Sequence, residues 1–273
     1  MNRQELFEQI RQQQSFLCVG LDTDLKKIPA DLLQTADPQY EFNRRIIDAT
    51  RQYAVAYKIN TAFYEVYGAK GWESMRKTVA YLPNNAFKIA DAKRGDIGNT
   101  SEMYAEAFLK QIGFDAITLS PYMGEDSISP YYQYAGKWAI ILGLTSNKGS
   151  ADLQLKAQGD GYFYETVLKT AQTWGNTNNT MFVIGATQPA YFERVRQLVP
   201  EHFLLVPGVG AQGGDLHAIC AAGLNSHCGL LVNSSRNIIY AGKDMNDFEY
   251  KAQKAAENLQ MEMAGILKSK GLI

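Results

Sequence analysis

Short apolar runs recur along the chain at 15–21, 54–59, 86–90, 116–119, 138–144, 181–185, 203–206 and 229–232. Each is followed by turn residues and then by a stretch whose apolar positions carry helical spacing, at about 41–51, 70–81, 99–112, 125–136, 161–174, 189–198, 213–222 and 247–268. Strands that alternate with helices imply a parallel sheet with right-handed crossovers. Eight such units predict a closed α/β architecture, the (β/α)8 TIM barrel, whose usual size of roughly 250 residues suits this chain. The doubly wound open sheet is the competing arrangement, but no GxGxxG follows the first run. An amphipathic segment at 3–13, with Leu6, Phe7 and Ile10 on one side, predicts an additional N-terminal helix within 1–14 that covers the barrel floor. No linker rich in Pro, Gly and Ser interrupts the pattern, so 15–273 is expected to form the barrel and 1–273 a single domain.

Composition narrows the function classes. With 273 residues, 46% hydrophobic content and a net charge of -1, the chain is expected to be a soluble globular protein with no bias toward nucleic acid or an anionic membrane. The apolar runs fall far short of a membrane span, and the first ten residues lack a signal peptide's apolar centre, so a cytoplasmic location is expected. Cys18, Cys220 and Cys228 are odd in number and contain no CxxC pair, which fits reduced thiols acting as small core hydrophobes.

In a barrel, functional groups sit where strands end and loops begin. Asp22 and Asp24 follow the first run, Lys58 ends the second, Asp91 and Lys93 end the third, and Ser120 the fourth. Thr145, Ser146 and Asn147 follow the fifth. The third is the densest: the apolar approach Phe87-Lys88-Ile89-Ala90 reads as a buried parallel strand delivering charge to its carboxyl end. Alternation in an extended chain points Asp91 and Lys93 the same way, Gly95 lets the backbone turn, Asp96 falls on that turn, and Thr100 lands in the first turn of the next helix. A lysine flanked by two aspartates is expected to stay protonated, which makes it a proton donor rather than a Schiff-base nucleophile. After the seventh and eighth runs, Gly208, Gly210, Gly213 and Gly214 with Gln212 and Arg236 form a candidate phosphate site. His202, His217 and His227 lack metal-ligand spacing and no GxSxG occurs, so neither a metal centre nor a serine triad is expected.

The segment Asp91-Ala92-Lys93-Arg94-Gly95-Asp96-Ile97-Gly98-Asn99-Thr100 resembles the signature of the orotidine 5'-phosphate decarboxylases, in the bacterial branch with longer loops (type 2). Cys18-Val19-Gly20-Leu21-Asp22, Tyr57-Lys58-Ile59-Asn60, Thr145 through Ser150, Pro207 through Asp215 and Ser235-Arg236 are similar to that family's motifs, in order, across roughly 15–240. The resemblance implies conversion of orotidine 5'-monophosphate to uridine 5'-monophosphate and CO2, the last step of de novo uridylate synthesis, with no metal and no organic cofactor. It implies that Lys93 stabilises the developing negative charge and protonates C6, that Asp91 crowds the departing carboxylate, and that Lys58 completes the charge network. It further implies Asp22 on the ribose, Ser146 on the pyrimidine, Pro207 in the pocket wall, and Gln212 with Arg236 on the phosphate. Finally, it implies a homodimer in which Asp96, Ile97 and Thr100 enter the neighbouring subunit's site.

Simpler roles stand beside these: Ser146 and Thr100 as helix caps, Ile97 as interface packing, Asp22 in an Asx turn and Arg236 in a surface ion pair. Two other functions are open. A magnesium-dependent sugar-phosphate decarboxylase or aldolase shares the DxKxxD pattern, although its metal calls for a carboxylate near the second strand end, where this chain has Lys58. A non-enzymatic phosphate-ligand binder would use the glycine-rich segment alone.

Overall fold

The computed structural model describes residues 1–187, 189–209 and 214–273. Eight strands form the barrel: β1 (Leu17–Gly20), β2 (Ala56–Asn60), β3 (Phe87–Arg94), β4 (Ala116–Leu119), β5 (Trp138–Leu144), β6 (Thr180–Ile184), β7 (Phe203–Pro207) and β8 (Leu230–Ser234). They pair in parallel in sequence order, and β8 closes onto β1 through Leu17 opposite Val232. Every residue of β1, β4, β6 and β8 is buried. This is why these strands read as unbroken apolar runs rather than alternating ones.

The floor of the barrel is aromatic. Phe87, Trp138 and Phe203 open β3, β5 and β7, and their rings meet edge to face at 5.8 and 6.4 Å, a layer drawn from alternate strands. The helix Arg3–Gln13 lies across these amino ends. Its start is fixed by a capping box in which Asn2 Oδ1 accepts the Glu5 N–H at 2.9 Å and Glu5 Oε2 accepts the Asn2 N–H at 2.7 Å. Leu6 and Ile10 are wholly buried, Trp138 Nε1 donates to the Met1 carbonyl at 2.7 Å, and Arg3 pairs with Glu201.

The crossover helices Pro38–Thr50, Gly68–Tyr81, Gly98–Ala105, Phe163–Ala171, Pro189–Leu198, Leu216–Gly223 and Phe248–Ser269 fall where the spacing predicts them. The helix expected over 125–136 does not form. Three short 3-10 turns replace it, Pro121–Met123, Glu125–Ser127 and Ser129–Gln133, because Gly124 adopts φ +89° and Pro130 supplies no N–H for a continuing ladder. Over 99–112 the second half, Glu106–Ile112, is π-helical and ends at Gly113 with φ +91°. β3 runs to Arg94, beyond its apolar run, and of its last residues Asp91 and Lys93 face the barrel mouth. Met263 packs into the core from the terminal helix, whereas Met261 is exposed. All three cysteines are buried thiols. Among the described residues no helix is long and apolar enough to cross a membrane.

Candidate active site

A cavity of about 470 Å³ opens at the carboxyl ends of the strands, and Asp22, Lys58, Asp91, Lys93, Ser146, Pro207 and Arg236 all line it. Asp96, Ile97 and Thr100 do not line it; they lie on the turn and helix start after β3, with Ile97 and Thr100 exposed. Gln212, with Gly210 and Gly213, lies outside the described residues.

The charged groups form an alternating row. Lys58 Nζ donates to Asp22 Oδ1 at 3.4 Å and to Asp91 Oδ2 at 2.8 Å, and Lys93 Nζ donates to Asp91 Oδ1 at 2.5 Å. Burial alone disfavours the charged form of Lys58, but attraction to Asp22 and Asp91 outweighs it and holds the ammonium above the usual lysine range. Burial likewise works against the Asp91 carboxylate, and Lys58 and Lys93 together reverse that and hold it well below the usual carboxylate range. The row thus carries charges of alternating sign, with Asp22, Lys58 and Asp91 largely buried, where their fields are weakly screened, and Lys93 half exposed at its open end. Beneath it, the Cys18 thiol is pushed up to about 12 by burial and is no nucleophile.

The backbone that presents Lys93 is unusual. Lys93 itself adopts φ +47° inside β3, and the strand ends at Arg94, directly before Gly95. Gly95 is small for a steric reason: a Cβ there would stand 3.2 Å from the Ser120 Cβ and carbonyl oxygen. Arg94 braces the turn by donating to the Ala92 carbonyl at 3.0 Å and pairing with Glu65, its guanidinium 5.3 Å from the rings of both Tyr104 and Phe108. On the other side, Tyr240 holds the loop after β1: its hydroxyl accepts the Asp24 N–H at 2.7 Å and donates to the Asp22 carbonyl at 3.0 Å.

The remaining wall mixes polar groups with the apolar side chains of Leu142, Val183, Leu205 and Val209. Arg236 opens the short helix Arg236–Ile239 directly after β8, and Gly208, with φ +99°, turns the chain beside Pro207. A Cβ on Gly185 would fall 2.6 Å from the Ser146 nitrogen, so glycine at that strand end keeps room for the serine. Neither Thr100 nor Ser146 caps a helix: Ile97 and Gly149 occupy the cap positions. Nor does Asp22 form an Asx turn, which falls instead to Asp24, whose Oδ1 accepts the Lys26 N–H at 3.0 Å. Sequence reasoning missed Thr118 and Gln154 as lining residues and gave Asn60 no role of its own. Asn60 was legible, standing two residues after Lys58 on the same strand face. Gln154 was not: it reaches back from the long loop after β5 to accept the Thr145 N–H at 2.7 Å.

Fold and pocket define a parallel (β/α)8 barrel with an ion-lined cavity at its carboxyl mouth, the position where barrel enzymes carry their chemistry. Over residues 15–249 the chain matches the family model described as "Orotidine 5'-phosphate decarboxylase / HUMPS family". It is 57% identical to an orotidine 5'-phosphate decarboxylase of Parabacteroides distasonis over 277 aligned residues, covering 100% of this chain and 99% of that protein. It is 55% identical to one from Bacteroides fragilis, covering 98% and 99%. Among solved structures, the OMP decarboxylase of Leishmania donovani superposes with a TM-score of 0.83 at 38% identity, covering 97% of this chain and 98% of that one. The chain belongs to the orotidine 5'-phosphate decarboxylase / HUMPS family.

Proposed function

We propose that this chain converts orotidine 5'-monophosphate to uridine 5'-monophosphate and CO2. The observation that carries this reading is the row Asp22, Lys58, Asp91, Lys93, ending in an ammonium at the cavity. Breaking the bond between C6 and the carboxyl group leaves the electron pair on C6 in the plane of the ring, where the π system cannot share it. The site must therefore lower the barrier by roughly 20 kcal/mol or more, near the upper range for enzymes, and fixed charges aimed at C6 are the available means.

In this reading the Lys93 ammonium faces C6, stabilises the pair as CO2 departs, and then transfers a proton to that carbon. Asp91 holds Lys93 in place and sits where the leaving carboxylate is crowded. Lys58 keeps Asp91 ionised and reaches the ribose together with Asp22. Ser146 contacts the pyrimidine and Pro207 closes the wall. Arg236, with Gln212, binds the phosphate, whose distance from C6 makes its binding energy a means of organising the site. The row itself supplies the charge stabilisation, so this reading requires neither a metal nor an organic cofactor.

The active unit in this reading is a homodimer in the cytoplasm, with the whole chain 1–273 acting as one barrel domain and Asp96, Ile97 and Thr100 completing the neighbouring subunit's site. Support comes from apolar side chains left exposed on the segments after β2, β3 and β4: Val66 (72% exposed), Ile97 (52%), Met103 (54%) and Tyr122 (80%).

The test is to incubate the purified protein with orotidine 5'-monophosphate in the presence of a chelator and to follow the absorbance change and CO2 release. Full turnover is expected. Magnesium-dependent turnover of a sugar phosphate with the nucleotide untouched would overturn the reading in favour of the other branch of the family. Tight nucleotide binding without chemistry would leave a phosphate-ligand binder.

A further inference from the structure

We propose that Thr118 is a positioning residue for the reaction, its hydroxyl setting the backbone of Lys93 and the carboxylate of Asp91 at once. The inference rests on the proposed decarboxylation. In the β3–β4 ladder Ala90 is opposite Ile117 and Arg94 is opposite Leu119, so three residues of β3, Asp91, Ala92 and Lys93, stand against Thr118 alone. Such a bulge deprives the extra residues of regular ladder partners. Here the Thr118 side chain takes over: Oγ1 accepts the Lys93 N–H at 2.9 Å and donates to Asp91 Oδ1 at 3.1 Å. The ladder resumes directly afterwards, where the Ser120 N–H donates to the Arg94 carbonyl at 2.7 Å.

Two features make this hydroxyl more than strand decoration. Lys93 is held at φ +47°, a left-handed conformation that is strained for a non-glycine residue and persists only where the surroundings fix it. Thr118 is also 1% exposed in a strand whose other residues, Ala116, Ile117 and Leu119, are all apolar, so a buried hydroxyl there must be matched to specific partners. A hydroxyl both donates and accepts, and valine, its nearest isostere, can do neither. Without it the Lys93 amide loses its partner, the bulge is free to relax, and the ammonium moves off the line to C6. Misplacement of a reacting group by about 1 Å is enough to slow a reaction by about 100-fold.

The experiment compares Thr118→Val, Thr118→Ser and wild type. For Thr118→Val, kcat on orotidine 5'-monophosphate is expected to fall about 100-fold while KM changes by less than about threefold, and Thr118→Ser is expected to stay within about threefold of wild type. Amide hydrogen exchange at Lys93, read by mass spectrometry of the substrate-free protein, is expected to accelerate at least about tenfold in Thr118→Val and not in Thr118→Ser. If valine prevents folding, Thr118→Ala gives the same comparison with a smaller side chain. A folded Thr118→Val enzyme with kcat within threefold of wild type, or unchanged exchange at Lys93, overturns the positioning role. Inactive wild type would instead sink the functional reading, and the exchange measurement would still decide whether Thr118 holds the bulge.

Discussion

Lys58 and Asp91 face each other across adjacent strands at 2.8 Å, with the lysine only 4% exposed. A buried ammonium is tolerable because the carboxylate stands beside it, and removing one partner leaves an uncompensated charge. Asp91→Ala, which leaves Lys58 and Lys93 with Asp22 as their one remaining acidic partner in the row, is predicted to destabilise the fold by about 3 kcal/mol. Urea unfolding monitored by circular dichroism checks this; an unchanged midpoint would mean the pair is not held as a unit.

Asp96 lies past the turn from Lys93 and does not line the cavity of its own chain. Lys93→Ala and Asp96→Asn proteins, each inactive, are predicted to regain activity when mixed under conditions that allow subunits to exchange. Random pairing makes half the dimers hybrids, each with one intact site of two, so recovery should approach about a quarter of wild-type activity. Exchange without recovery would place both residues in one subunit's site.

Arg236 lines the cavity directly after β8, separated from β3 by β1 and β2 around the barrel. Arg236→Ala is predicted to weaken uridine 5'-monophosphate binding by about 100-fold, the scale of a lost charge-assisted contact, while uridine binding changes little. Titration calorimetry with both ligands separates the two. Equal losses would remove the phosphate role.

The barrel was legible because strands covered on both faces are continuous apolar runs, and because the charges cluster where those runs end. What escaped has physical causes. Gly124 and Pro130 break a stretch whose apolar spacing alone is helical, and the end of β3 carries no hydrophobic mark because it faces the cavity. The same-face placement of Asp91 and Lys93 was anticipated from strand alternation, yet in the structure it arises through a bulge and a left-handed lysine. Thr118 and Gln154 act through hydrogen bonds to residues 25 and 9 positions away, which no local pattern encodes.

His202 lies beneath the barrel against Phe182, 6% exposed. Burial, with the positive charges of Arg196 and Arg3, lowers its pKa from 6.5 to about 4. The folded state therefore keeps a neutral ring where the unfolded chain takes up a proton, so stability is full above pH 6.5 and falls as the pH drops toward 4, by up to about 3 kcal/mol. His202→Leu is predicted to flatten the loss between pH 6.5 and 4, as read from denaturation midpoints across pH. An unchanged slope would assign the acid sensitivity elsewhere.

The most direct test of the central claim, that one ammonium in a row of opposed charges holds the electron pair at C6, is single-turnover decarboxylation of orotidine 5'-monophosphate by Lys93→Ala. A loss of at least about 1,000-fold relative to wild type is predicted, with uridine 5'-monophosphate still bound within about tenfold of its wild-type affinity. Decarboxylation within tenfold of wild type would show that the chemistry does not run through Lys93.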